Sequence, residues 1–97
     1  MKTKLKNHEL SSFVWDRLKS TIANERPLLM GWIDAVKSAQ LFTDLTPAVL
    51  MLTFRKKDAH AQEALMRPVM RQFLQSRAET ITGEPIVIST TTNQTAL

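Results

Sequence analysis

Apolar residues recur at helical spacing near the start of the chain. They follow Ser11 and Ser12, either of which suits a helix N-cap because its hydroxyl accepts a backbone N–H. The residues on one face are Val14, Trp15, Leu18 and Ile22. This spacing predicts an amphipathic helix of about three turns that ends near Asn24. Trp15 lies within this apolar face, so we expect its ring in the core.

A second apolar face follows Pro27, which suits the first position of a helix because its missing N–H has no partner there. Its members are Leu28, Leu29, Trp32, Ile33 and Val36. Two short helices joined by a few residues predict an αα-hairpin. Trp32 has two interpretations, core residue or exposed interface anchor, because Leu29 and Ile33 already supply an inward face.

The rhythm then changes from helical spacing to alternation. Residues 39–43 and 48–54 are rich in strand formers and are separated by the turn-like segment 44–47. In the second run, positions 48, 50, 52 and 54 fall on one face and positions 49, 51 and 53 on the other. We therefore predict a β-hairpin with one face against the helices and the other half exposed.

The next helical segment contains a proline. Asp58 suits the N-cap of a helix over 59–66, and Pro68 cannot occupy a helix interior, so we expect the helix to restart there. Gly83 is a natural left-handed terminator, and residues 85–88 predict a third strand. The apolar positions that we expect to be buried between Pro68 and Gly83 are Val69, Met70, Phe73, Leu74, Ala78 and Ile81.

These elements predict a single α+β domain with the order α-α-β-β-α-β, a three-stranded sheet packed against helices, and a last helix broken at Pro68. The domain is expected to cover residues 11–88. Residues 1–10 are interpreted as a flexible basic arm and residues 89–97 as a polar tail, since neither has an apolar rhythm.

Composition removes several classes of function. The 97 residues contain no cysteine, so disulfides, thiol catalysis and cysteine zinc sites are excluded. His8 and His60 are the only histidines, and Gly31 and Gly83 are the only glycines, too few for a histidine-rich metal site or a phosphate-binding glycine loop. We therefore predict a non-enzyme with no catalytic residues, cofactor or metal. No apolar run reaches the length of about 18 residues that a membrane helix needs, which favours a cytoplasmic protein without a membrane partner.

The net charge of +4 is concentrated in residues 55–77, which hold six basic and two acidic residues. Arg67, Arg71 and Gln75 recur at four-residue intervals on one helix face. This face could hold phosphates or an acidic protein, but the stretch offers neither an exposed aromatic platform nor a Gly-x-x-Gly clamp. A solvated face or an acidic protein partner is therefore favoured over specific nucleic-acid binding, and we expect only weak nucleic-acid contact. The candidate partner-binding residues are Trp32, Arg55, Lys56, Lys57, Arg67 and Arg71.

Four segments carry a family resemblance: residues 15–18 (WDRL), 26–29 (RPLL), 66–74 (MRPVMRQFL) and 81–88 (ITGEPIVI). They resemble the domain that follows the ATPase region in the clamp-loader gamma/tau subunit (DnaX) of bacterial DNA polymerase III. The resemblance covers about residues 12–90. It implies a domain that serves subunit oligomerisation and assembly, with other clamp-loader subunits as partners.

The N-terminal domain of the replication initiator DnaA is also similar, through its α-α-β-β-α-β order in a KH-like fold and through Trp32-Ile33 in the second helix. That resemblance implies self-association and contact with the replicative helicase. Both families carry an ATPase module with a glycine-rich phosphate loop that is missing here, and the zinc-binding cysteines of the clamp-loader ATPase region are missing too. Neither resemblance therefore implies a role for ATP or metal in this chain.

Overall fold

The computed structural model describes residues 7–93, in which the apolar faces and alternating runs of the sequence form four helices and three strands. Its elements are α1 (Asn7–Glu25), α2 (Met30–Ile33), β1 (Val36–Phe42), β2 (Ala48–Arg55), α3 (Ala59–Leu65), α4 (Pro68–Thr82) and β3 (Ile86–Asn93). Single turns of 3-10 helix at Pro27–Leu29 and Lys56–Asp58 precede α2 and α3. The α+β class and the predicted order α-α-β-β-α-β are confirmed, with α3 and α4 as the two halves of the broken helix.

The three strands form one mixed sheet with β2 in the centre. β1 pairs with β2 in antiparallel orientation, and β3 pairs with β2 in parallel orientation, so that Leu50 lies opposite both Leu41 and Ile88. A parallel pair needs a crossover connection, which α3 and α4 supply. In consequence β1 and β3 are the two edge strands.

The core lies between one face of the sheet and the helices. Leu50, Leu52 and Phe54 are fully buried on β2, whereas Val49 and Met51 on the other face are half-buried, as the alternation predicted. The helices contribute the buried residues Val14, Trp15, Leu18, Ile22, Ile33, Leu65, Leu74 and Ala78. The prediction that Trp15 belongs to the core is confirmed.

Proline and glycine end and begin helices where the sequence predicted. Arg67 is extended, with φ −60° and ψ 142°, because a residue before proline disfavours the α conformation. Pro68 then occupies the first position of α4. Gly83 ends that helix in the left-handed region at φ 77°, and its N–H donates to the carbonyl of Glu79 at 2.7 Å.

The second helix is much shorter than predicted. The α-helical part ends at Ile33, and Val36 begins β1 instead of completing a third helical turn. Val36 pairs with Phe54 across the hairpin, and strand pairing of a β-branched residue outweighs a helical periodicity that local spacing alone had favoured.

Asp58 occupies the N-cap position of α3 as predicted, but its carboxylate makes no capping hydrogen bond and accepts from Arg55 at 3.1 Å instead. One other local prediction was wrong. Val69 is 68% exposed, since it lies on the side of α4 away from Leu74 and Ala78.

Regular structure also reaches into the segments interpreted as arm and tail. Residues 7–10 belong to α1, and residues 89–93 belong to β3. The remaining parts of those segments, 1–6 and 94–97, lie outside the described residues. Within residues 7–93, no helix is long and apolar enough to cross a membrane.

Candidate partner-binding surfaces

Helix α4 makes contacts on three of its faces. The first face packs into the core through Leu74 and Ala78. The second faces the end of α1 and carries Phe73 and Arg77. The guanidinium carbons of Arg26 and Arg77 lie 4.9 and 5.1 Å from the centroid of the Phe73 ring. Phe73 is therefore half-buried between two cations, which corrects its prediction as a core residue.

The third face of α4 runs along the outer edge of β3. The carboxylate of Glu79 accepts the N–H of Ile86 at 3.1 Å, and the amide oxygen of Gln75 accepts the N–H of Ile88 at 3.0 Å. Arg71 and Arg67 continue this row at the same four-residue interval. The row predicted from Arg67, Arg71 and Gln75 therefore has Glu79 as a fourth member, and two of its members, Gln75 and Glu79, contact a strand edge.

The second half of β3 was missed by the sequence analysis. Gln62 of α3 holds it from the helix side: its Nε2 donates to Thr90 Oγ1 at 3.0 Å, and Thr92 Oγ1 donates to its Oε1 at 2.9 Å. The signal was the run Thr90-Thr91-Thr92, whose β-branched side chains favour strand. The strand pairs with β2 as far as Asn93, opposite Arg55.

The structure brings the predicted basic residues to one end of the sheet, which we call the basic end: Arg55, Lys56, Lys57, Arg67 and Arg71. Arg55 ends β2 opposite Asn93, and the two lysines follow it directly. The hydrogen bonds of Gln75 and Glu79 make α4 antiparallel to β3, so Arg67 lies toward the same end. Only Arg55 of this group forms an ion pair within residues 7–93, with Asp58.

Trp32, the sixth candidate partner-binding residue, differs from the exposed basic residues in its burial. It is half-buried on α2 and packs against the core. Its role as an interface anchor stays a prediction. His60 and Glu63 are both exposed on α3, and no group of three or more potential metal ligands occurs in the part of the chain that the structure describes.

The opposite end of the sheet carries an apolar hollow of about 240 Å³. It opens between the start of α1, the end of α4 and the strand ends at Ala48 and Ile86. Its apolar lining consists of Leu10, Phe13, Val14, Leu41, Ala48, Ile81 and Ile86. Phe13 is 50% exposed on its rim, and a neighbouring hollow is lined by Leu45 and Pro47. We call this region the apolar end.

No protein-family model, curated protein or solved structure matches the chain. The basic end, the apolar end and the edge of β3 are therefore the features on which a function has to be based.

Proposed function

We propose that the chain is a non-catalytic protein–protein interaction domain of the bacterial DNA replication machinery, acting in the cytoplasm and similar to the clamp-loader gamma/tau subunit. The observation that carries the proposal is the apolar end. Phe13 and Leu45 are each about half exposed there beside a hollow lined by apolar side chains. Exposed apolar residues around a concave surface are typical of protein contacts.

The segments that resemble the clamp-loader domain support the proposal through their structural roles. Pro68 begins α4, Gly83 ends it, and Pro85 immediately precedes β3. Each of these residues occupies a position that the fold requires, and their combination is what the resemblance rests on. Clamp-loader subunits are accordingly the first partners to test.

The initiator-like function is the alternative, and the same apolar end would serve it. In that case the hollow would bind a second copy of the chain or the replicative helicase. The two functions require different partners but use the same surface. The same variants of the apolar end therefore test both functions.

Replacing Phe13 by serine is expected to remove the partner while the fold is retained, because a half-exposed ring contributes little to the core. A pull-down from bacterial lysate with mass spectrometry should find clamp-loader subunits on the wild-type chain and at least about tenfold less on Phe13→Ser. Leu28→Ser is the matched control, since Leu28 is 96% exposed and lies away from the hollow. Equal capture by Phe13→Ser would contradict the assignment of this surface.

DNA binding by the basic end is expected to be weak, with Kd in the non-specific range of roughly 10⁻⁴–10⁻⁶ M at physiological salt. The reason is that residues 55–77 offer neither an exposed aromatic platform for bases nor a Gly-x-x-Gly clamp for the backbone. Fluorescence anisotropy with duplex and single-stranded DNA measures this affinity. A sub-micromolar affinity that falls steeply with salt, and that is lost in the Arg67→Glu, Arg71→Glu double variant, would make nucleic-acid binding the primary function.

A further inference from the structure

Side chains of α4 accept backbone N–H groups of β3 along only half of the strand's outer edge. Backbone N–H groups of a strand point alternately to its two sides, so those of Ile86, Ile88, Thr90 and Thr92 share one direction. Glu79 and Gln75 accept the first two. Within residues 7–93, the N–H groups of Thr90 and Thr92 have no acceptor. We call this segment, residues 89–93, the open edge.

The residue types in the α4 row explain why the N–H groups of Thr90 and Thr92 have no side-chain acceptor. Four residues of helix advance about 6 Å and two residues of strand about 6.6 Å, so the row stays in step with alternate strand residues. The next member of the row, Arg71, is therefore level with Thr90, and Arg67, the N-cap residue before Pro68, lies beyond it in the direction of Thr92. Arginine has five donors and no acceptor, so neither residue can accept a backbone N–H.

The open edge therefore combines unpaired backbone donors with two exposed cations. Arg67 and Arg71 are both exposed, and neither has an ion-pair partner among the described residues. An unpaired strand edge is a template for a further strand. The positive charge beside it selects against basic segments and in favour of acidic ones.

We propose that the open edge binds an extended acidic peptide segment of a partner protein by strand addition, with residues 89–93 supplying the backbone ladder and Arg67 and Arg71 binding carboxylates. Side chains of an added strand alternate between the two faces of the sheet. Acidic residues at every second position would therefore all face the α4 row. The preferred ligand has that alternating pattern, and it is selected by backbone pairing and charge together.

Two other occupants fit the open edge less well. A second copy that paired through its own β3 in antiparallel orientation would bring Arg67 and Arg71 of both copies together, and like charges in contact are unfavourable. A nucleic acid can bind the two arginines but has no peptide backbone to pair with Thr90 and Thr92. The β1 edge is also partly closed, because Ser11 of α1 accepts the N–H of Leu41 at 2.7 Å.

The inference rests on the proposed function only in taking the partner to be a protein. Its probe is a synthetic peptide of about ten residues, (Glu-Thr)₅, compared with a peptide of equal composition in which the glutamates form one block. Affinity is measured by fluorescence anisotropy, and the site is mapped by backbone amide NMR. We expect the alternating peptide to bind at least about tenfold more tightly, with the largest shifts at the amides of Thr90 and Thr92.

Variants separate backbone pairing from charge. Thr90→Pro removes an N–H that makes no bond to β2, which an edge strand tolerates, and it should weaken binding at least about tenfold. Thr90→Val keeps the N–H and loses the hydroxyl that Gln62 bonds, so it should bind like wild type. Arg67→Glu with Arg71→Glu should abolish binding, whereas Lys56→Glu with Lys57→Glu, at the same end of the sheet, should have a smaller effect.

Several outcomes would overturn the inference. Equal affinity for the two peptides would mean that binding depends on charge and not on strand pairing. Unchanged affinity of Thr90→Pro would mean that the peptide binds at another site. If Thr90→Pro does not fold, the arginine double variant is the deciding test. Peptide binding by that variant would show that the open edge is not the binding site. A dimer that Thr90→Pro dissociates would assign the edge to a second copy. A chain that captures clamp-loader subunits but binds neither peptide would contradict this inference and would still support the proposed function.

Discussion

Replacing Phe54 by alanine is expected to lower the free energy of unfolding by about 3–5 kcal/mol. The ring is fully buried on the central strand, and its removal leaves a cavity that the neighbouring strands cannot close. Phe73→Ala should cost distinctly less, about 1–2 kcal/mol, because that ring is only half-buried, packing against the margin of the core and between Arg26 and Arg77. Urea denaturation of the two variants measures the difference.

Phe13→Ala is the control for this comparison, since Phe13 is half exposed and should change stability least of the three phenylalanines. Equal losses for Phe54→Ala and Phe73→Ala would mean that Phe73 belongs to the core after all. The described arrangement of α4 against α1 would then be wrong.

Ser11→Ala is expected to cost about 1–3 kcal/mol, which is large for the loss of one oxygen atom. Ser11 is 4% exposed, and its hydroxyl accepts the N–H of Leu41 on the edge strand β1. Without that acceptor the Leu41 N–H is left unpaired beside the core. The measurement is thermal or urea unfolding, together with the hydrogen-exchange rate of the Leu41 amide, which should rise.

The neighbouring serine provides the matched control. Ser12 lies in the same helix and is exposed, so Ser12→Ala should leave stability within about 0.5 kcal/mol of wild type. Alanine is a better helix former than serine, so helix propensity alone would favour both variants. Equal stabilities of the two variants would therefore mean that the bond from Leu41 to Ser11 contributes nothing.

Periodicity and backbone chemistry were sufficient to predict much of the fold. The apolar spacing around Leu18 predicted α1, the alternation around Leu52 predicted β2, and Pro68 and Gly83 predicted the bounds of α4 within a residue. These signals depend on one element and its immediate surroundings. They therefore do not need knowledge of which other element lies alongside.

The features that were missed depend on tertiary partners. Ser11 was interpreted as an N-cap, but α1 begins earlier and the hydroxyl serves the edge of β1. The second half of β3 requires β2 and Gln62 beside it, neither of which is close in sequence. Val69 fitted a helical apolar face, but the core reaches only the side of α4 that carries Leu74 and Ala78.

The candidate site divides in the same way. The spacing of Arg67, Arg71 and Gln75 predicted a common helix face, and the structure places Gln75 of that face against the β3 edge. The sequence could not show what the face contacts, because Gln75 and Glu79 are recognisable as acceptors only once Ile86 and Ile88 lie opposite them. The apolar end was not predicted at all, since Phe13 and Leu45 come from segments that approach only in the folded chain.

Sedimentation velocity with purified components shows whether this chain binds proteins of the replication machinery. The fluorescently labelled chain is run alone, with clamp-loader subunits and with replicative helicase. We expect a faster-sedimenting complex with the clamp-loader subunits, and we expect that Phe13→Ser does not form it. A complex with helicase only, or self-association only, would replace the clamp-loader assignment by the initiator-like one. A chain that is monomeric alone and sediments at the same rate in both mixtures would contradict a protein-binding role in replication.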